Sequence, residues 1–209
     1  MPNIDQAAKA WELDLADRVG GAVQVRRKAL KLTAQQLAQR TAELGYPITR
    51  VAVSKIESNN RAGKLDVAEL FVLAVALEIP PALLLFPNFP DGTAELVPGR
   101  VAHARGSVEW LSGNGLLPGK VIAGELTEVE YGPANEGTDL VGAVNKRVEL
   151  EMRQFWLMSM ERAENAPADA VETTRRMIAN TRSELAATNE KINKAMSGLW
   201  ASREDDSNE

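Results

Sequence analysis

The densest group of side chains able to bind something lies in TRVAVSKIESNNR, Thr49 to Arg61. Val53 and Ile56 stand three apart and, with Ile48 upstream, form a narrow apolar stripe that suffices to dock a short amphipathic helix on a core. The rest of such a helix carries Arg50, Val51, Ala52, Ser54, Lys55, Ser58 and Asn59. A merely solvated face is normally built from Glu and Lys. A cation, hydroxyls, an amide and small apolar groups together offer charge, directional hydrogen bonds and a dry contact to an external surface.

This is recognition chemistry rather than bond-making. The 209-residue chain has no cysteine, hence no disulfide framework, thiolate metal site or thiol nucleophile. The single histidine, His103, reads as an ordinary surface or packed residue, and no carboxylate pair, metal-ligand spacing or phosphate loop stands out. No enzyme activity, cofactor, metal or catalytic residue is expected. No apolar run approaches the roughly twenty residues of a membrane span, and the N-terminus MPNIDQAAKAWELDLADR is too acidic and polar for a secretory signal. The expected setting is a reducing cytoplasm, with no membrane partner.

The net charge of -5 is unevenly spread. Between Leu15 and Phe86 ten Lys/Arg stand against six Asp/Glu, a balance of +4, while the remainder carries fourteen against twenty-three, or -9. Such a division fits a small anion-binding domain on an acidic body.

The elements that must position the Thr49–Arg61 stretch are legible upstream and downstream. A first helix is expected over Leu15 to Leu30, with Val19, Val23 and Leu30 inward and Arg26 to Lys28 mostly outward. Thr33 and Gln36 form a T-x-x-Q capping box, so a second helix starts near Ala34. Gly45 closes it and Pro47 prevents continuation. Leu37, Thr41 and Leu44 share its face, and Ala38 is small enough for a close crossing. Thr49 is the N-cap of the third helix. After the turn chemistry of Asn59, Asn60 and Gly63, a fourth helix places Val67, Leu70, Phe71, Ala74 and Leu77 at helical spacing. Pro80 and Pro81 open a short fifth, which Pro87 stops.

The order LTAQQLA, then ITRVAVSKIES, then LDVAELFVLAVALEIPPALLL resembles the helix-turn-helix of the phage repressor-like (Cro/C1, or XRE) transcription regulators, most closely in actinobacterial members. The resemblance spans Leu15 to Pro87 and implies an all-α fold led by a five-helix lambda-repressor-like DNA-binding bundle. It implies double-stranded DNA as the partner and a bacterial, nucleoid-associated repressor. In the family the recognition helix lies in the major groove, which here corresponds to Arg50 onward. Arg50, Val51, Ser54 and Lys55 then fall at base-reading positions: Arg50 on guanine O6 and N7, Val51 on a thymine methyl, Lys55 on a base acceptor or phosphate. Phosphate contacts fall to Thr49, Ser58, Asn59, Asn60 and Arg61, and to Gln35 at the start of the second helix, where this chain has Ala34 in place of the family's usual glutamine. Arg27 and Glu57 match an internal ion pair of the family.

The remaining chain is read as an N-terminal extension, 1–14, a Gly/Pro-rich middle segment, 88–138, a helical C-terminal region, 139–200, and a disordered tail, 201–209. RVAHARGSVEWLSG is expected to form a short helix anchoring Trp110 and Leu111, and KVIAGELTEVEYG a helix or a strand. Val144, Val148, Met152, Phe155 and Met158 share a face of one long helix. In the next, Val171, Ile178, Leu185, Ile192 and Leu199 recur every seven residues, with Thr174, Thr181, Thr188 and Ala195 at the complementary positions. That half-apolar seam suits an antiparallel hairpin better than a two-stranded rod. It is the expected site of homodimerisation. The second reading of the chain is an antitoxin or adaptor whose acidic C-terminal helices bind a protein partner.

Overall fold

A computed structural model describes residues 6–119, 135–162 and 167–200. The chain is mostly helical and divides into two compact units, Met1–Gly132 and Pro133–Glu209.

The first unit opens with α1, Gln6–Ala29, followed by α2, Ala34–Glu43, α3, Arg50–Glu57, α4, Val67–Ala76, and α5, Pro81–Leu85. Thr33 and Gln36 close the capping box on α2, with the Thr33 hydroxyl accepting from Gln36 N and the Gln36 amide oxygen accepting from Thr33 N. Such a cap stabilises by about 1 kcal/mol. Leu44 ends α2 and Gly45 follows in the left-handed region at φ +86°. The core gathers Val19 and Val23 of α1, Leu37 of α2, Val53 and Ile56 of α3, Leu73 and Leu77 at α4, and Leu84 of α5.

Four expectations change here. The first helix does not begin at Leu15, because α1 runs unbroken from Gln6 and takes in most of the supposed N-terminal extension. On α4 the buried apolar positions are Leu70, Leu73, Ala74 and Ala76, while Val67, Phe71 and Val75 are exposed. Leu44 also faces solvent. Finally, RVAHARGSVEWLSG is helical only from Ala104: β1, Thr93–Val97, pairs antiparallel with β2, Arg100–His103, with Ala94 opposite Ala102, and α6, Ala104–Leu111, follows directly.

That hairpin is docked on the bundle. Ala94 and Ala104 pack with Phe86. Trp11 Nε1 and Arg18 Nη2 on α1 both donate to the Glu95 carbonyl, at 3.4 and 3.2 Å, and the Arg18 guanidinium lies 5.8 Å above the Phe86 ring centre. Burial lowers the pKa of Arg18, against the opposing charges of Asp14 and Glu95. The early turns of α1 are therefore used, which explains why the helix continues through them. Trp110 is half-buried on α6, but Leu111 is exposed. The KVIAGELTEVEYG stretch and the 201–209 tail lie outside the described residues.

The second unit is an antiparallel helical hairpin, the form expected for this region. α7, Glu136–Glu161, starts on the capping box of Asn135 and Thr138, and α8, Ala168–Trp200, returns along it. Arg153 pairs with Glu184 at 2.7 Å and Glu161 with Arg175 at 2.8 Å, whereas a methyl group placed on Gly137 would lie 4.0 Å from the Leu199 side chain, so contacts run in opposite order along the two helices. Leu150 and Leu157 of α7 meet the α8 seam, in which Ile178, Thr181, Thr188 and Ile192 are buried and Val171, Leu185 and Leu199 half-buried. Thr181 and Thr188 donate their hydroxyls to the carbonyls of Met177 and Glu184 at 2.8 Å, so their burial strands no polar group. The shared apolar face of α7 noted in the sequence is not the one that meets α8. Val148, Met152 and Phe155 are exposed, because α8 takes the opposite side.

The crossing of α1 on α3 has no room for a side chain. A methyl group at Gly20 would overlap the Ile56 carbonyl oxygen and lie 3.1 Å from its carbon, whereas one at Gly21 meets nothing within 4 Å. Gly20→Ala should lower stability by about 1–3 kcal/mol through overpacking. Gly21→Ala, with its better helix propensity, should raise it by about 0.5–1 kcal/mol. Urea unfolding of the two variants checks the pair; equal effects would deny the close crossing.

Candidate nucleic-acid interface

What α3 exposes follows from what holds it. Val53 and Ile56 fix its inner side in the core. At its start the Thr49 hydroxyl accepts from Ala52 N at 3.2 Å. Just upstream, the buried Thr41 hydroxyl donates to the Ala38 carbonyl at 2.7 Å and accepts from Ile48 N at 3.0 Å, which ties the end of the connection back onto α2. At the far end, Asn59 turns through φ +49° and its Nδ2 donates to the Leu13 carbonyl of α1 at 2.9 Å.

Arg27 and Glu57 lock α1 to α3. Arg27 Nε and Nη2 donate to the two carboxylate oxygens of Glu57 at 2.6 and 2.7 Å, while Nη1 donates to the Leu32 carbonyl at 2.7 Å. The side chains are only 12% and 7% exposed. The hydrogen bond to Glu57 raises the pKa of Arg27 above its ordinary value, against the cost of burial. The pair is thus part of the scaffold.

The outer surface of α3 carries Arg50, Val51, Ser54 and Lys55 on one exposed side, with Val51 60% accessible although apolar. Ser58 continues that side, its hydroxyl donating to the Ser54 carbonyl at 2.8 Å. Gln35 is exposed in the first turn of α2, and Asn60 is exposed after α3.

The remaining residues named for phosphate contact are occupied otherwise. Arg61 forms an ion pair with Glu69 at the start of α4, and the Asn59 amide holds α1. Neither use is legible in the sequence. Arg61 and Glu69 are eight residues apart across a turn, and the acceptor of Asn59 is a main-chain carbonyl.

Much of the positive charge in this unit is consumed the same way. Arg26 donates to the carbonyls of Leu77 and Glu78 at 3.0 and 3.1 Å, and Arg40 to that of Ala76 at 3.0 Å, so guanidinium groups from α1 and α2 satisfy the carbonyls at the end of α4. Arg18 is held at the β-hairpin, Arg27 by Glu57, Lys28 by Gln24 and Arg61 by Glu69. Among the described residues from Leu15 to Phe86, the cations with no hydrogen-bond or ion-pair partner are Lys31, Arg50, Lys55 and Lys64. Two of them stand on the outer side of α3. That arrangement supplies point charge, a planar bidentate donor, a hydroxyl and one apolar contact on a rigid helix. Among the described residues no cluster of three His, Cys, Asp or Glu is placed to hold a metal ion.

Because Arg27 and Glu57 each keep a small exposed edge, removing Glu57 should cost roughly 2 kcal/mol, less than the 3–5 kcal/mol of a fully buried pair. Chemical denaturation of Glu57→Ala measures this. Glu57→Gln, which still accepts one guanidinium hydrogen bond, should lose less.

No family model matches this chain, and no curated protein and no solved structure does so.

Proposed function

We propose that the first unit is a lambda-repressor-like bundle of the phage-repressor type and that the chain is a sequence-specific double-stranded DNA-binding transcription regulator. The observation that carries this reading is the contrast between the two sides of α3. One side is fixed by Val53, Ile56 and the Arg27–Glu57 pair, and the other presents Arg50, Val51, Ser54 and Lys55 with no internal partner for either cation. A fold that ties up its other arginines in caps and ion pairs and leaves two cations beside an exposed valine keeps that surface for something outside. Arg50 supplies the fork that matches guanine O6 and N7, Val51 a surface for a thymine methyl, and Lys55 a charge for a base acceptor or phosphate. Gln35, Thr49 and Asn60 remain available to hold phosphates, which positions the helix without reading sequence, whereas the Ser58 hydroxyl is already given to the Ser54 carbonyl. Arg61, occupied by Glu69, acts chiefly in the scaffold.

Selection of duplexes from random sequence by the purified chain, then competition binding on single-base variants at two salt concentrations, tests the proposal. Arg50→Ala should cost about 1–3 kcal/mol on the selected site and flatten discrimination at one base pair. Lys55→Ala should reduce the magnitude of the salt slope by about one unit for each phosphate it no longer neutralises. Arg61→Ala should lower thermal stability and leave the salt slope nearly unchanged. Failure to enrich any sequence, or a uniform loss from Arg50→Ala across all variants, would overturn the assignment of α3.

A further inference from the structure

The α8 seam expected to join two chains is spent inside one, against Leu150 and Leu157 of α7. The far side of α7 is apolar as well. Val148, Met152, Phe155, Trp156 and Met160 are each between 51% and 64% exposed, and their spacing sets them along one side of the helix. Phe155 and Trp156 meet edge to face, with ring centres 6.1 Å apart. A helix with two apolar sides has one partner too few.

The charges around this strip say what the second partner is. Between Lys146 and Glu161 three cations balance three anions. All are paired within the chain: Lys146 with Glu149, Arg147 with Glu151, Arg153 with Glu184 and Glu161 with Arg175. An acidic or basic partner would find no complementary field. A helix lying on an anionic membrane would turn a cation-rich side to water, whereas here the side opposite the strip is buried on α8. A neutral, apolar strip is best matched by another of the same kind.

Its own sequence supplies that match. The N-terminal half of the strip is small, with Val141, Val144 and Val148, and the C-terminal half large, with Phe155, Trp156 and Met160. Antiparallel packing on a copy of itself sets small against large; parallel packing would pile the aromatic rings together. The exposed part of the strip amounts to roughly 500 Å² per copy, so two copies bury about 1,000 Å², the threshold of a specific interface. An isolated two-helix hairpin also buries little apolar surface, and a second hairpin on the strip would bury a second face of α7.

We propose that the outer side of α7 binds a second copy of this chain, antiparallel and about a two-fold axis beside Met152, so that the two α7 helices pair at the centre of a four-helix layer with the α8 of each copy on the outside. This assignment stands whether or not α3 reads DNA.

The chain has no native cysteine, so single cysteines report on it cleanly. In the full-length protein under mild oxidation, Met152→Cys should cross-link two copies nearly completely, and a mixture of Val148→Cys and Phe155→Cys chains should cross-link to each other more than either does alone. Ser183→Cys, exposed on α8, should remain uncross-linked. By light scattering the unmodified chain should be a dimer at micromolar concentration, and Met152→Glu combined with Phe155→Glu a monomer with unchanged helical circular dichroism. A monomeric wild type, or cross-linking at Ser183 equal to that at Met152, would overturn the proposal. So would Phe155→Cys chains cross-linking alone as well as in the mixture.

Discussion

The first unit is organised around the contact of α1 with α3 at Gly20, where the helix backbone touches the Ile56 carbonyl with no side chain between. Two helices this close leave no slack in the angle at which they cross. The same side of α1 meets α3 again on either hand: the Leu13 carbonyl receives the Asn59 amide, and Arg27 grips Glu57. Leu13, Gly20 and Arg27 recur at seven-residue intervals, the repeat at which a helix returns to one side. One edge of α1 therefore serves as a rail for α3, and the outward aim of Arg50 and Lys55 depends on it.

Local chemistry was well written in the sequence. Thr33 with Gln36, Thr49 and Gly45 announce their roles because capping and left-handed turns are decided within a few residues. Val19, Val23, Leu37, Val53 and Ile56 follow from periodicity alone. The Arg27–Glu57 pair, by contrast, entered through the family resemblance, since its partners are thirty residues apart.

What could not be read depends on distant or main-chain partners. Trp11 and Arg18 both find the carbonyl of Glu95, and a carbonyl leaves no trace in the residue letters. Arg26, Arg40 and Arg61 look like a basic patch when charges are summed, yet their positions make two of them helix caps and one an ion pair. On α7, two apolar stripes share one helical period. The spacing read from the sequence runs through Val148, Met152 and Phe155 and passes over Leu150 and Leu157, the stripe that α8 takes. The reason lies in α8, whose alternate apolar and threonine positions fit against Leu150 and Leu157.

The threonine seam has one more consequence. Because Thr181 and Thr188 bond only to their own helix, they prefer no particular opposite number on α7. The isoleucines and leucine beside them repeat so regularly that sliding α8 by one heptad would bring like residues to like positions. Apolar contact thus holds the two helices together without choosing their alignment. The choice falls to Arg153–Glu184 and Glu161–Arg175, pairs at the solvent edge whose attraction weakens as ionic strength rises. Cohesion and register in this hairpin are separate properties, carried by different residues and answering to different solvents.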